Sequence, residues 1–282
     1  MIIVADSGST KCDWVRVKGK HDQEKCSTMG FNPFFHSTEF IAEELRKHPE
    51  LIATPEEVTH IYYYGAGCSS EKLCKQVETA LASIFTHAHI QVRHDLDGAA
   101  YATFEHQDGI ACILGTGSNS CFVAADGTVT QKVPALGYIL GDEGSGSYFG
   151  KKLISYFLYE KLPLPIHQKF AEKYGLTKEE VFKNVYMRPN SNVYLASFMR
   201  FLSDNRNDDF VRNFIYKGFS EFITTHIWKY ENYREVPVHF VGSVAHYFQD
   251  LLREEARIHH LTIGNIVKQP IWNLVEYHSL SN

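Results

Sequence analysis

The most informative stretch of the sequence is Ile2-Ile3-Val4-Ala5-Asp6-Ser7-Gly8-Ser9-Thr10-Lys11. It opens with a short apolar run of strand length, and a small polar turn follows from Asp6 onward. Cys12 to Val17 then reads as a second strand, so the pattern predicts a β-hairpin. Small residues in such a turn let backbone N–H groups approach an anion, and the Asp6 carboxylate can hold Mg²⁺ through water. An ordinary polar hairpin turn is the alternative interpretation.

A second stretch repeats this layout about 110 residues later. Gly109 to Leu114 is apolar and strand-like, and it ends in the turn Gly115-Thr116-Gly117-Ser118-Asn119. Ser120 to Ala124 reads as the return strand. A nucleotide triphosphate needs hydrogen-bond donors from more than one side, so two such turns favour a duplicated phosphate-binding hairpin.

Two adjacent carboxylates stand between glycines in Gly141-Asp142-Glu143-Gly144-Ser145-Gly146-Ser147. The glycines permit a tight turn into the helix expected next, whose first N–H groups could face an anion or another ligand. An acidic loop that merely caps the helix is the alternative.

A carboxylate also follows a short strand, in His94-Asp95-Leu96-Asp97-Gly98. An acid at a strand end before a helix of small residues is well placed to act as a general base. Either Asp95 or Asp97 could instead be the N-cap of that helix. In Val241-Gly242-Ser243-Val244-Ala245, a strand turns into a helix through residues small enough to pack against a planar ring.

Composition excludes several classes of protein. The chain has 282 residues, 44% of them hydrophobic, and a net charge of −5. No Lys/Arg-rich run indicates nucleic-acid binding, and no apolar stretch approaches the ~18–20 residues of a membrane span. Without a basic, signal-like N-terminal segment, we expect a cytoplasmic protein. The six cysteines form no C-x-x-C pair, and neither a P-loop nor a G-x-G-x-x-G motif is present.

Periodicity outlines the remaining elements. Strands are expected at 61–64, 90–92 and 238–241, and helices at 38–45, 71–85, 147–160, 195–202, 210–230, 244–259 and after Pro270. Thr177 and Glu180 have the spacing of a capping box.

In their order along the chain, these motifs resemble the BadF/BadG/BcrA/BcrD-type ATPase family of the actin/hexokinase/Hsp70 superfamily, which includes N-acetylglucosamine kinases. The resemblance implies an α/β fold with two ribonuclease-H-like (actin-like ATPase) domains and an interdomain cleft. It implies one domain from residues 1–105 plus a C-terminal helix at 268–282, and another from 106–267 with a helical insertion. The implied activity uses ATP and Mg²⁺ to phosphorylate the 6-hydroxyl of an amino sugar such as N-acetylglucosamine.

The resemblance also implies roles for individual residues. ATP and its phosphates would be bound by Asp6, Ser7, Gly8, Ser9, Thr10, Lys11, Gly115, Thr116, Gly117, Gly242, Ser243 and Ala245. Asp6 would hold Mg²⁺, largely through water, and Asp95 would be the general base. The sugar would contact Asn32, Asp95, Ser118, Asn119, Gly137 and Asp142. Leu136-Gly137-Tyr138 stands where many relatives carry a Trp-Gly pair, which leaves the identity of the sugar open.

Two alternatives remain at this level. One is an ATPase activator of a radical dehydratase or reductase, which would carry an iron–sulfur cluster between two subunits. The other is a non-catalytic nucleotide or sugar sensor. The expected partners are ATP and a small sugar, with no nucleic acid and no membrane, and a homodimer is left open.

Overall fold

The structure, a computed structural model, describes residues 1–8, 10–19 and 22–280. The chain divides into two compact units, unit 1 from residues 1–105 and 269–282 and unit 2 from residues 106–268. Across the described part of the chain, no helix combines the length and apolar character that crossing a bilayer requires.

The strands are β1 (Ile2–Ser7), β2 (Lys11–Gly19), β3 (Asp22–Met29), β4 (His60–Gly65), β5 (His89–His94), β6 (Gly109–Leu114), β7 (Ser118–Val123), β8 (Val129–Thr130), β9 (Pro237–Val241) and β10 (Thr262–Val267). The helices are α1 (Thr38–Arg46), α2 (Pro49–Ile52), α3 (Glu71–Ala82), α4 (Asp95–Ala102), α5 (Gly137–Leu140), α6 (Gly146–Leu158), α7 (Leu164–Tyr174), α8 (Lys178–Phe182), α9 (Ser191–Ala196), α10 (Met199–Asp204), α11 (Asp209–Thr225), α12 (Ser243–Tyr247), α13 (Gln249–Ile258) and α14 (Ile271–Leu280). Short 3₁₀ turns lie at Pro55–Glu57 and Ile227–Lys229, and a π-helical turn spans Lys183–Met187.

Unit 1 contains a five-stranded sheet of order β3-β2-β1-β4-β5. β1, β2 and β3 form an antiparallel meander, and β4 and β5 run parallel to β1. The central strand β1 is apolar from Ile2 to Ala5 because both of its faces are covered there. Ile3 and Ala5 pack in one cluster with residues of α1 and α3, whereas Val4 packs on the other face with residues of α14.

Unit 2 repeats this topology with the order β10-β9-β6-β7-β8. Here β6 is the central strand, antiparallel to β7 and parallel to β9. Ile110, Cys112 and Leu114 of β6 are buried in a core shared with α6, α11 and α13. Two sheets of the same mixed order, each opening with a hairpin and continuing through parallel strands, confirm an α/β chain with two ribonuclease-H-like units.

The two predicted hairpins and the capping box are confirmed. β1 pairs with β2 and β6 with β7 over their full lengths. The Thr177 backbone N–H donates to the Glu180 carboxylate at 3.0 Å, and the Glu180 N–H donates to the Thr177 hydroxyl at 3.2 Å.

Other expectations about elements were wrong. β3 and β10 were not anticipated, because both are edge strands with many exposed positions and no continuous apolar run. The helix expected at 244–259 is two helices, α12 and α13, separated by Phe248. Phe248 leaves the helical conformation with φ −114° and ψ 26°, and its side chain is fully buried in the core. The helix expected at 195–202 is likewise divided between α9 and α10.

Candidate active site

The first hairpin turn joins β1 to β2 in unit 1. The Gly8 N–H donates to the Lys11 carbonyl at 3.0 Å, which closes the turn. Gly8, Thr10 and Lys11 are exposed, so the hydroxyl of Thr10 is accessible to a ligand. Lys11 also pairs with Asp13 on the same strand, with Nζ 2.7 Å from Oδ1. Ser9, a predicted phosphate contact, lies outside the described residues.

Asp6 is a strongly perturbed carboxyl group of unit 1. Burial is the main cause that raises its pKa to about 7, and the nearby carboxylates of Asp95 and Asp13 raise it further against a smaller effect of Lys25. A cation beside Asp6 would relieve both the desolvation and the repulsion. Within the described ranges, no three His, Cys, Asp or Glu side chains are arranged to hold a metal ion between them. This donor set fits Mg²⁺, which takes few protein carboxylates and keeps several waters.

Ser7 has a different environment from its neighbours. Its side chain is fully buried, its hydroxyl accepts from the Phe31 N–H at 3.0 Å, and the same hydroxyl lies 3.4 Å from the Phe31 carbonyl. The Ser7 hydroxyl is therefore engaged with the Phe31 backbone, and the predicted place of Ser7 in the phosphate-binding turn stays a prediction. Ser7 thereby ties β1 to the segment that carries Asn32.

Asn32 lies directly against Gly67. A Cβ atom at Gly67 would stand 2.3 Å from Asn32 Oδ1, and Gly67 has a φ of +83°. Glycine is therefore required at position 67 by both backbone conformation and space. The Asn32 side chain is further fixed by the Phe34 N–H, which donates to Oδ1 at 3.0 Å. It is half-buried, so a polar ligand can still reach its amide.

Asp95 is the first residue of α4, and the helix cap belongs to neither predicted aspartate. His94 is the N-cap, since its Nδ1 accepts from the Leu96 N–H at 3.1 Å. The same Nδ1 lies 2.9 Å from Asp95 Oδ1, and the Asp95 side chain retains a quarter of its exposure. β1 and β5 end at the same edge of the sheet of unit 1, with β4 between them, so the candidate magnesium residue Asp6 and the candidate base Asp95 lie at one sheet edge. The charge of Asp95 contributes to the raised pKa of Asp6.

The second hairpin turn, in unit 2, is fastened to the start of α6. The N–H groups of Gly146 and Ser147 donate to the carbonyls of Gly115 and Thr116 at 2.8 and 3.0 Å. The expectation that the first N–H groups of α6 face a ligand is therefore wrong for these two donors. Thr116 and Gly117 remain partly exposed, so the turn itself is accessible.

Asp142 contacts the same turn from the acidic loop. Its Oδ1 accepts from the Ser118 N–H at 3.3 Å, and a Cβ at Gly117 would come within 3.0 Å of its Oδ2. Burial raises the pKa of Asp142 to about 6, and the Glu143 charge adds to that increase while the Ser118 N–H opposes it. Asp142 also adopts φ +60°, which aims the loop back toward β7.

Two further predicted sugar residues begin β7. Ser118 is buried, and its hydroxyl oxygen has no hydrogen-bond partner among the described residues. Buried hydroxyls normally have partners, so this one is available to a ligand. The Asn119 Oδ1 accepts from the Ser120 N–H and from Gln131 Nε2, each at 2.9 Å.

Gly137 begins α5, five residues before Asp142 in the chain. It has a φ of +70°, is exposed, and no described atom lies within 4 Å of the position a Cβ would take. Lys151 of α6 anchors this short helix by donating to the Tyr138 carbonyl at 2.7 Å. Gly137 therefore offers open backbone to a ligand, in a segment whose other end is fixed.

Gly242 lies against the second phosphate turn. A Cβ at Gly242 would be 2.4 Å from the Leu114 carbonyl oxygen and 3.0 Å from the Gly115 nitrogen, and its φ is +124°. The Gly242-Ser243 segment and the Gly115–Gly117 turn are therefore neighbours within unit 2. Ser243 is exposed, whereas Ala245 is fully buried in the core. The predicted place of Ala245 beside the nucleotide stays a prediction.

Sequence reasoning missed two residues that hold the predicted site residues. Gly67 accommodates Asn32, and the buried His226 lies beside Glu143 of the acidic loop. Both contacts join residues far apart in the chain, so no local pattern indicates them. The sequence indicated that the glycines after β4 end a strand, but it did not indicate that one of them supports Asn32.

The duplicated hairpin sheets are those of the actin-like ATPase fold, and comparison with solved structures places the chain in the class of the ATP-dependent sugar kinases. A solved structure from Porphyromonas gingivalis, described as a "putative N-acetylglucosamine kinase", is 35% identical, with 99% of this chain and 98% of that chain covered and a TM-score of 0.93. The chain therefore belongs to the N-acetylglucosamine kinase-like family of BadF/BadG/BcrA/BcrD-type ATPases.

More distant structures share the fold. A protein from Chromobacterium violaceum with the same description is 18% identical over 98% of both chains, with a TM-score of 0.68. A ROK family glucokinase from Streptomyces griseus, solved with glucose and AMPPNP, is 15% identical over 99% of this chain and 98% of that chain, with a TM-score of 0.54. No protein-family model matches the chain, and no curated protein matches its sequence.

Proposed function

We propose that this protein transfers the γ-phosphoryl group of ATP to the 6-hydroxyl of an amino sugar such as N-acetylglucosamine. The observation that carries the proposal is that Asp6 and Asp95 lie where β1 and β5 end at the same edge of one sheet, on either side of β4. The Asp95 carboxylate is partly exposed there, and its charge acts on the carboxyl of Asp6. The family of the Porphyromonas protein supports the choice of an amino sugar.

Asp95 acts as the general base in this proposal. It accepts the proton of the sugar hydroxyl as the oxygen–phosphorus bond forms, while the bond from the γ-phosphorus to the bridging oxygen breaks and ADP leaves. A positioned base typically contributes about 10²–10⁴-fold to the rate.

Phosphate binding is assigned to the turn of each unit by itself. In unit 1, Thr10 offers its hydroxyl and Lys11 its ammonium group, and Gly8 closes the turn through its N–H bond to the Lys11 carbonyl. In unit 2, Thr116 and Gly117 offer the donors, and Gly115 closes the turn through its N–H bond to the Gly117 carbonyl. Asp6 would hold Mg²⁺, largely through water, and a bound Mg²⁺ would supply neutralisation of the phosphate charge. The exposed backbone of Gly242 and Ser243 borders the nucleoside.

The sugar is bound by polar groups whose surroundings leave them available. In unit 1 these are the amide of Asn32 and the carboxylate of Asp95. In unit 2 the unpaired hydroxyl of Ser118 and the carboxylate of Asp142 are the main contacts. Asn119 and Gly137 complete the set of proposed sugar contacts.

The test is ATP-dependent phosphorylation of N-acetylglucosamine, N-acetylmuramic acid, glucosamine and glucose by the wild-type protein and by Asp95→Asn. We expect turnover of at least one amino sugar and a fall in kcat of about 10²–10⁴-fold in Asp95→Asn, because the amide cannot take the proton. Asp97→Asn is the matched control, being the same change two residues along α4, and should retain kcat within about threefold. Unchanged kcat in Asp95→Asn, or no turnover of any sugar, would contradict the proposal.

A further inference from the structure

A buried series of hydrogen-bonding side chains connects the acidic loop to strand β7 in unit 2. His226 follows the end of α11, and its Nε2 lies 3.4 Å from Glu143 Oε2. Its Nδ1 lies 3.5 Å from the hydroxyl of Ser120, which in turn lies 3.0 Å from the hydroxyl of Tyr230. The side chains of Ser120, His226 and Tyr230 are at most 3% exposed.

The chemistry of these groups determines which of them donates and which accepts each hydrogen bond. Burial lowers the pKa of His226, although the Glu143 carboxylate opposes this effect, which favours the neutral imidazole with one proton. Only an Nε2–H can donate to the Glu143 carboxylate, which leaves Nδ1 as an acceptor. The Ser120 hydroxyl then donates to Nδ1 and accepts from Tyr230. Every donor points toward Glu143.

Helix α11 holds the acidic loop at a second point. A Cβ at Gly144, which has φ +70°, would lie 3.0 Å from Phe222 Cβ and 3.2 Å from the Gly218 carbonyl. The Phe222 ring in turn stacks on His226, with centroids 4.7 Å apart and an interplanar angle of 20°. The imidazole is therefore fixed by packing as well as by hydrogen bonds.

The loop is thus held on two sides. Asp142 binds the Ser118 N–H of β7, and Glu143 is bound by His226, which reaches β7 through Ser120. Adjacent carboxylates repel each other, and the Glu143 charge raises the pKa of Asp142. A fixed donor at Glu143 keeps its carboxylate turned toward α11, which leaves Asp142 facing Ser118.

We propose that His226 is a positioning residue for sugar binding, which holds Glu143 and thereby places Asp142 and the Ser118 hydroxyl for the sugar. This inference rests on the proposed function, because it assigns His226 to the sugar contacts named there. His226 itself does not touch the sugar.

The experiment measures sugar and ATP affinity by titration calorimetry, and steady-state kinetics, for wild type, His226→Phe, His226→Gln and Glu143→Gln. His226→Phe keeps a ring that can stack on Phe222 but removes both nitrogens. We expect its Kd and KM for the sugar to rise at least tenfold, while its KM for ATP and its kcat stay within threefold of wild type. Glu143→Gln, which replaces the charged acceptor of the His226 proton with a weaker neutral one, should show the same split to a smaller extent.

His226→Gln is the conservative variant, because its amide can donate to Glu143 and accept from Ser120. It should restore sugar affinity to within about threefold of wild type. His278→Phe in unit 1 is the control for replacing a buried histidine away from the acidic loop. It removes the 2.7 Å contact of His278 Nε2 to the Tyr64 hydroxyl. It should lower thermal stability without changing sugar KM.

Three results would overturn the inference while leaving the proposed function intact: unchanged sugar affinity in both His226→Phe and Glu143→Gln, equal loss of sugar and ATP affinity, or no rescue by His226→Gln. If His226→Phe does not fold, Glu143→Gln and His226→Gln still decide between these outcomes. A wild-type protein that neither binds nor phosphorylates any sugar overturns the proposed function and this inference with it.

Discussion

Asp6 on β1 and Asp13 on β2 lie directly opposite each other across the first hairpin, yet their pKa values move in opposite directions. Burial acts to raise the pKa of Asp13, but hydrogen bonds from Lys11 and Ser27 and the charge of Lys25 hold it below its ordinary value. Burial raises the pKa of Asp6 to about 7, and the Asp95 and Asp13 charges add to this. Lys11 and Lys25 therefore compensate the charge of Asp13, whereas a bound cation would compensate the charge of Asp6.

The first prediction concerns the stability of Asp6→Asn. Between pH 4 and pH 7 the folded wild type binds a proton that the unfolded chain has released, so its stability falls as pH rises and stays lower above pH 7. The amide removes this effect. We expect Asp6→Asn to be more stable than wild type at pH 8 by about 1–3 kcal/mol, since one pKa unit corresponds to about 1.4 kcal/mol and Asp6 is only half-buried.

Thermal unfolding at pH 4, 6 and 8 checks this prediction. The difference between the two proteins should vanish at pH 4, and added Mg²⁺ should narrow it at pH 8 by stabilising the ionised wild type. Asp22→Asn on the exposed strand β3 is the control and should match wild type at each pH. A pH-independent difference for Asp6→Asn would show that the carboxyl is not perturbed as described.

The second prediction concerns Gly67, which supports Asn32. Gly67→Ala places a methyl group 2.3 Å from Asn32 Oδ1 and forces an alanine into φ +83°. We expect the displaced amide to raise the sugar KM at least tenfold, with a loss of stability of about 1–3 kcal/mol. Gly175→Ala is the matched control, because Gly175 also has positive φ but nothing within 4 Å of the new methyl. Gly175→Ala should lose stability and keep the sugar KM of the wild type. Equal sugar KM values in the two variants would show that Asn32 does not contribute to sugar binding.

The sequence predicted the parts of this molecule that local patterns specify. The apolar runs of β1 and β6 and the glycine-rich turns after them identified both hairpins, because a central strand covered on both faces must be apolar. Glycines at close approaches were equally visible. The sequence placed Gly242 at a strand end, and the structure adds that it lies against the Leu114–Gly115 peptide.

The remainder depends on contacts that no local pattern encodes. β3 lies at a sheet edge, pairs with β2 and is mostly exposed, so its polar sequence Asp22–Met29 carries no alternation of apolar residues. Ser7 resembled a phosphate residue in sequence, but its hydroxyl is bound by the Phe31 backbone. His226 reaches Glu143 across 83 residues. Such pairings follow from the packing of elements and not from residue spacing.

The third prediction concerns the pH dependence of sugar binding. The pKa of Asp142 is raised to about 6, so the carboxylate is ionised at pH 8 and largely protonated at pH 5. If the ionised form binds the sugar, Kd should rise about tenfold for each pH unit below 6, in proportion to the lost ionised fraction. Calorimetry at pH 5, 6, 7 and 8 measures this, and circular dichroism verifies the fold at pH 5. Asp142→Asn should bind more weakly with little change across this range, and a flat wild-type profile would exclude Asp142 as a charged acceptor.

The last prediction concerns Gly242 and distinguishes an effect on nucleotide affinity from an effect on the stability of the protein. Gly242→Ala brings a methyl group to 2.4 Å from the Leu114 carbonyl oxygen and to 3.0 Å from the Gly115 nitrogen. Both neighbours are backbone atoms of the strand end that leads into the phosphate turn, so no side-chain rotation can relieve the clash. The Gly242 turn and the Gly115–Gly117 turn must therefore separate.

We expect Gly242→Ala to lose at least about 2 kcal/mol of stability, from steric displacement together with a strained φ, and at least tenfold in affinity for an ATP analogue. Denaturant unfolding and calorimetry measure the two effects. Gly175→Ala carries the strain alone and should keep its nucleotide affinity. Sugar affinity in Gly242→Ala should change less than nucleotide affinity, because Ser118 and Asp142 contact the far side of the same turn. Loss of sugar affinity without loss of nucleotide affinity would place the nucleoside elsewhere in the protein.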